Sequence, residues 1–191
     1  MPTPRIAPLA PPYEPALAAA LEAMMPPGVP PLRLFRTLAH NPRVLEKIRA
    51  SNLLDRGSIE RREREIVILR ATARAGGEYE WGVHVAFFAA KVGLTDAEVA
   101  ASVQGGAEDP AWSPRERLLV RLVDQLHDTT RLDDALWKEL AAAFEPPQLV
   151  ELVVLAGFYR TISCVVNAFA IAPEEGAPGF DARGAPRLPP L

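Results

Sequence analysis

The amino-acid sequence predicts an all-α protein, a bundle of about seven to nine helices built on a helical-hairpin core. Three observations predict it. Apolar residues recur at helical spacing, as Ile66, Leu69 and Ala73 do, and so line one face of a helix. Hardly any segment shows the two-residue alternation or the β-branched clusters of a half-buried strand. The 20 prolines gather in residues 2–31 and again near the end, and most of the others stand where a helix can open.

Taken in order, the first helix is expected over residues 14–25, stopped by Pro26-Pro27-Gly28, with a short second one over 32–39. Asn41-Pro42 reads as cap and first residue of a third, reaching about residue 54. Ser58 precedes IERREREIVILRATARA, whose end is marked by Gly76-Gly77. A helix over 78–92 follows, ended by Gly93, and Thr95 with Glu98 is a capping box for another through about 103. Ser113-Pro114-Arg115-Glu116 opens a helix to about 127, and Asp133 or Asp134 caps one to 144. Pro146-Pro147 opens the longest and most apolar helix, which runs towards Pro173.

A chain of 191 residues can bury one full core, whereas two domains of half that size would each be marginal. Residues 1–191 are therefore read as one domain, with a Pro-rich arm at 1–13 and a Pro/Gly tail at 173–191. Both ends have too few periodic apolar residues to form elements and are expected along the surface or across a neighbouring subunit. With 21 basic and 24 acidic residues and no basic block, nucleic acid is not an expected partner. The start lacks the apolar stretch of a signal peptide, and no later apolar run reads as long and uninterrupted enough to span a bilayer. No membrane partner and a cytoplasmic location are expected. The single Cys164 lies in the apolar run VLAGFYRTISCVVNAFAI, where a buried thiol acts as a small hydrophobe.

Chemistry is expected on one helical face. Glu80 and His84 stand four apart in GGEYEWGVHVAFFAAKVG and so lie nearly above one another. Tyr79, Trp81, Val83, Val85, Phe87 and Phe88 make the segment apolar almost all round, which implies burial. Burial disfavours each charged form unless the two are paired, and such a pair suits proton exchange near neutral pH. The plainer alternative is a structural hydrogen bond inside the bundle. A divalent metal would need a third ligand that this element does not offer, and no cofactor fingerprint is present, so neither metal nor cofactor is expected.

The stretch from Gly76 to His84, after a helix rich in Arg and Glu, resembles the carboxymuconolactone decarboxylase and alkylhydroperoxidase D-like (AhpD-like) family. Its redox members carry Gly-Cys-x-aromatic-Cys-x-x-x-His there, and His84 and Tyr79 fall in register. Gly77 and Glu80 occupy the two cysteine positions, so disulfide cycling cannot run and the resemblance points to the decarboxylase-like branch. RREREIVILRATA resembles the family's Arg-x-Arg-Glu helix, which puts Glu65 where a relay glutamate would be, and Gly93-Leu94-Thr95 matches its following turn.

The resemblance implies an AhpD-like helical bundle, a homotrimer or homohexamer, and a carboxy-lyase acting on a small carboxylated lactone or related ring compound. His84 is then the expected proton donor, Glu80 its orienting partner and Glu65 a relay to water. Tyr79 is carried over as a substrate contact. On the last helix, Arg160, Ser163 and Asn167 form one polar line, making Arg160 a candidate carboxylate anchor and Asn167 a candidate substrate contact; pairing of Arg160 with an acidic group is the competing reading. Two other functions stay open: a peroxide-reactive antioxidant role for Cys164, and a non-catalytic ligand-binding scaffold.

Overall fold

A computed structural model describes residues 3–51 and 53–181. Among them every regular element is helical: α1 (Pro15–Glu22), α2 (Arg33–Leu38), α3 (Pro42–Ala50), α4 (Arg61–Arg74), α5 (Glu78–His84), α6 (Asp96–Gln104), α7 (Pro114–Thr129), α8 (Asp134–Ala143) and α9 (Pro146–Ala168). Between α5 and α6 the chain continues as a π turn over Val85–Ala89 and a 3-10 turn over Ala90–Val92.

Most boundaries follow from capping chemistry. Asn41 accepts from the Val44 amide, Asp133 from the Leu136 amide, and Thr95–Glu98 and Ser113–Glu116 close reciprocal capping boxes. Gly93 is left-handed (φ 72°) and ends the segment that starts at Glu78. Two boundaries differ from expectation. The third helix stops at Ala50 rather than near 54, and Leu53 beyond it is left-handed. The fourth opens at Arg61, because Glu60 and Glu63 form the capping box; the Ser58 amide and hydroxyl instead both donate to Glu151 of α9, at 2.6 Å each.

The central element is α4, which packs against α5, α6, α7 and α9. Its Ile66, Val67, Ile68 and Leu69 are all buried, so no face is left for a solvated stripe. Its charges are accordingly paired. Arg70 grips Asp124 with two bonds of 2.7 and 2.9 Å and donates to the carbonyls of Ser102 and Gly105. Arg62 bridges Glu98 and Glu116, and Glu63 accepts from Arg115. Around α4 the first hydrophobic cluster includes Leu119 and Leu122 of α7, Leu136 and Leu140 of α8, and Leu152 and Leu155 of α9. A second cluster seats Leu21, Leu34, Leu38 and Leu45 of α1–α3 on Tyr79, Val83, Ile162 and Val166. The first three helices thereby cover one side of α5.

The arm and tail pack on their own chain. The Arg5 amide donates to Phe169 O (2.9 Å) and the Leu9 amide to Arg36 O (3.2 Å). Glu174 accepts from the Tyr79 hydroxyl and the Arg33 amide, both at 2.5 Å, and Phe180 sets its edge against Trp81 with centroids 5.5 Å apart. Residues 182–191 of the expected tail lie outside the described residues.

Two expectations about α9 need correction. By length and composition its 23 residues are enough to cross a membrane, contrary to the expectation that no apolar run is long and uninterrupted enough to do so. Leu152, Leu155, Tyr159, Ile162 and Val166 face the core, whereas Val150, Val153 and Val154 are exposed. Cys164 is exposed as well, not buried, because it lies off the inward-facing stripe.

Where α5 meets α9 the backbones approach closely. A Cβ at Gly77 would stand 2.3 Å from Ser163 Oγ and 3.2 Å from Ser163 Cα. Gly77→Ala is expected to push the two helices apart and lower stability by about 1–3 kcal/mol, the usual range for overpacking, as read by urea denaturation. An unchanged midpoint would show that Ser163 yields freely.

Candidate active site

Glu65 comes from the core of α4 and is fully buried. Its Oε2 stands 2.7 Å from His84 Nδ1 on the last turn of α5, and its Oε1 accepts from Arg64 Nε at 3.2 Å. Arg64 is held in turn by the carbonyl of Leu54, 2.8 Å from its Nη1. On the other side of the ring, His84 Nε2 faces Glu80 Oε1 at 3.6 Å, an ion-pair distance longer than a hydrogen bond. The second Glu80 oxygen is buried without a partner among the described residues. The result is a line of groups, Arg64, Glu65, His84 and Glu80, ending on a carboxylate with spare hydrogen-bonding capacity.

Burial is the largest single influence on His84 and opposes its charge. The adjoining carboxylate of Glu65, by charge and hydrogen bond, and then Glu80 together outweigh burial and raise its pKa from 6.5 to about 9. At neutral pH the ring is therefore an imidazolium, donating from Nδ1 to Glu65. Phe88 and Tyr159 flank it, each with its ring centroid 5.0 Å away, and leave no room for water on those sides. Burial, followed by the charges of Glu80 and Glu65, pushes the Tyr159 hydroxyl well above its ordinary pKa and keeps it neutral.

Glu80 and His84 line a cavity of about 400 Å³. Its floor is the stripe Glu80, Val83, His84, Phe87, Phe88 and Lys91, residues three and four apart that share one face of α5 and its continuation. The π turn that follows His84 lies within this floor, a type of irregularity frequent at functional sites. The roof comes from the N-terminal region: Met24, Met25, Leu32 and Phe35, with Arg49 of α3 and the Leu54–Asp55 pair at the side.

Three of the residues expected at the site thus converge, at different depths. Glu65 is sealed from solvent and holds His84 Nδ1, so it does not itself touch the water to which a relay would lead. Glu80 is the carboxylate that faces the cavity. The other three expected residues lie elsewhere. The Tyr79 hydroxyl donates to Glu174 and accepts from the Leu34 amide, 3.1 Å away, which makes it a strut between α2, α5 and the tail. Arg160 donates to His127 O and lines a separate surface hollow with Val153 and Gly157, because its turn of α9 faces α7. Asn167 donates to Ala75 O at 3.2 Å and so satisfies a carbonyl freed where α4 ends.

Sequence reasoning missed Arg64, Arg49 and Lys91. Lys91 was readable in principle, lying seven residues past His84 on the same face. Arg49 belongs to another element and carries no local signal. Among the described residues no group of three or more His, Cys, Asp or Glu is arranged to hold a metal ion.

Fold and site together define a class: helical proteins of AhpD-like architecture, here with a buried Glu65–His84–Glu80 cluster between the central helix and the one that follows it. Residues 41–125 match the model of the carboxymuconolactone decarboxylase family, the family that the motif around His84 resembles. Among curated proteins no sequence matches. Solved structures share its fold. A peroxidase-related protein from Silicibacter sp. superimposes with TM-score 0.78 at 16% identity, over 92% of this chain and 96% of its own. A protein of unknown function from Agrobacterium tumefaciens, considered a candidate AhpD antioxidant-defence protein, gives 0.66 at 21% identity, over 72% and 94%. A variant of the debrominase Bmp8 in complex with 2,3,4-tribromopyrrole gives 0.72 at 16% identity, over 89% and 91%. At these identities the likeness is one of fold.

Proposed function

We propose that this chain is a cofactor-free proton-transfer enzyme of the decarboxylase type, acting on a small carboxylated lactone or a related ring compound. One observation carries the reading: a buried imidazolium is fixed by Glu65 at Nδ1, with its Nε2 beside Glu80 on the floor of a cavity of about 400 Å³. In the reaction the bond from ring carbon to carboxylate breaks, carbon dioxide leaves, and the electron pair remains as a conjugated enolate. His84 Nε2 delivers its proton to carbon, and the imidazole regains one from water. Glu80, with one oxygen unpartnered, orients a donor group of the substrate.

The apolar walls suit a flat ring, and the debrominase of similar fold is complexed with a ring compound, 2,3,4-tribromopyrrole. The reading extends to a homo-oligomer, a trimer or a hexamer, with Val150, Val153 and Val154 on α9 as apolar surface for a second copy to cover, and to a cytoplasmic location.

The test is turnover in deuterium oxide with neither metal nor cofactor added, using a panel of small cyclic lactone carboxylates followed by NMR. A decarboxylated product carrying one deuterium on carbon is expected. Thiol-dependent peroxide consumption that disappears in Cys164→Ser, with no lactone turnover, would overturn the proposal in favour of the antioxidant role.

A further inference from the structure

We infer that Arg49 and Lys91 determine specificity in this cavity by holding, at its mouth, a carboxylate that the substrate keeps throughout the reaction. This inference rests on the proton-transfer reading of the same site.

The cavity is polarised along its depth. His84 and Glu80, on the floor, are 2% and 8% exposed, whereas Arg49 and Lys91 line the same space from exposed positions. Between the two ends the walls are apolar, with Leu32, Phe35, Val83 and Phe87. Lys91 lies seven residues beyond His84 on the same face, past the π turn that follows α5, a separation that leaves room for a small ring and its substituent. A ligand that fits has an apolar middle, a reacting carbon at the bottom and a negative end at the top.

Both cations are available to a ligand. Among the described residues no ion pair with a carboxylate involves Arg49 or Lys91; the Lys91 ammonium stands only over the Phe88 ring, 6.0 Å from its centroid. The acidic groups facing the same space are Asp55 and Glu80. Arg49 on α3 and Lys91 beyond α5 line this one cavity from different elements, which offers a carboxylate a planar fork and a point charge.

The grip also identifies which carboxylate is held. Cations around a carboxylate stabilise its charge in the ground state, and gripping the group to be lost would oppose its departure. The group at the mouth is therefore the retained one, and the bond that breaks lies nearer His84.

The experiment is calorimetric titration of 5-oxotetrahydrofuran-2-carboxylate and of its methyl ester into the wild-type chain, the Arg49→Gln/Lys91→Gln double variant and His84→Gln. Loss of both cations is expected to weaken the carboxylate about tenfold, as charge-assisted bonds at a partly exposed site allow, and to leave the ester within about twofold. His84→Gln is expected to bind the carboxylate within about threefold of wild type. Undiminished carboxylate affinity in the double variant, equal affinity of the wild type for acid and ester, or no carboxylate binding at all would overturn the inference. Binding is read without turnover, so failure here leaves the deuterium result standing, and failure of turnover leaves this result standing.

Discussion

Glu65→Ala is expected to remove about 3–5 kcal/mol of stability, the range for deleting one partner of a buried ion pair. The carboxylate is fully buried, and each oxygen serves a different cation: Oε2 stands 2.7 Å from His84 Nδ1, and Oε1 accepts from Arg64 at 3.2 Å. Its loss strands a guanidinium and an imidazolium inside the fold. Urea denaturation at pH 7 measures the loss, and a change under about 1 kcal/mol would show that Glu65 does not organise this centre. The pH dependence has a definite sign. His84 has a folded-state pKa raised from 6.5 to about 9, so its contribution is fully present below pH 6.5 and is lost as pH rises through about 9. The wild-type chain should weaken over that window, and Glu65→Ala should weaken less steeply there.

His84→Gln is expected to lower kcat by about 10² to 10⁴, the usual value of a positioned acid, while the fold survives. Glutamine keeps a donor beside Glu80 but has no proton to give. Because the acid is the protonated ring, the wild-type rate should fall as pH rises through about 9. Glu80→Gln removes one of the carboxylates that hold the charge and should move this limb to lower pH. A His84→Gln variant with full turnover would take the imidazole out of the mechanism. A limb that stayed in place in Glu80→Gln would mean that Glu65 alone sets it.

The fold was largely legible because its signals are local. Asn41, Thr95, Ser113 and Asp133 each cap the helix their spacing predicts. Leu53 and Glu60 were not readable in the same way, since a left-handed turn and a glutamate cap depend on partners such as Glu63. At the site, the spacing of Glu80 and His84 gave the face, and the family resemblance gave Glu65. Their roles were not legible, because depth of burial decides which carboxylate orients and which faces the ligand. Arg160 and Asn167 misled for the same reason. A polar line on a helix is visible in sequence, but the direction it faces is set by the rest of the bundle, here towards His127 O and Ala75 O.

The cavity is assembled from two separate stretches of the chain. Glu65, Glu80 and His84 lie inside residues 41–125, whereas the roof residues Met24, Met25, Leu32 and Phe35 lie before that segment. On the proposed reading, the proton donor and the roof over the substrate can therefore be varied separately. Drift in the roof changes what is admitted without disturbing the buried proton donor, and a roof graft from a relative would be a route to new substrates that leaves the chemistry in place.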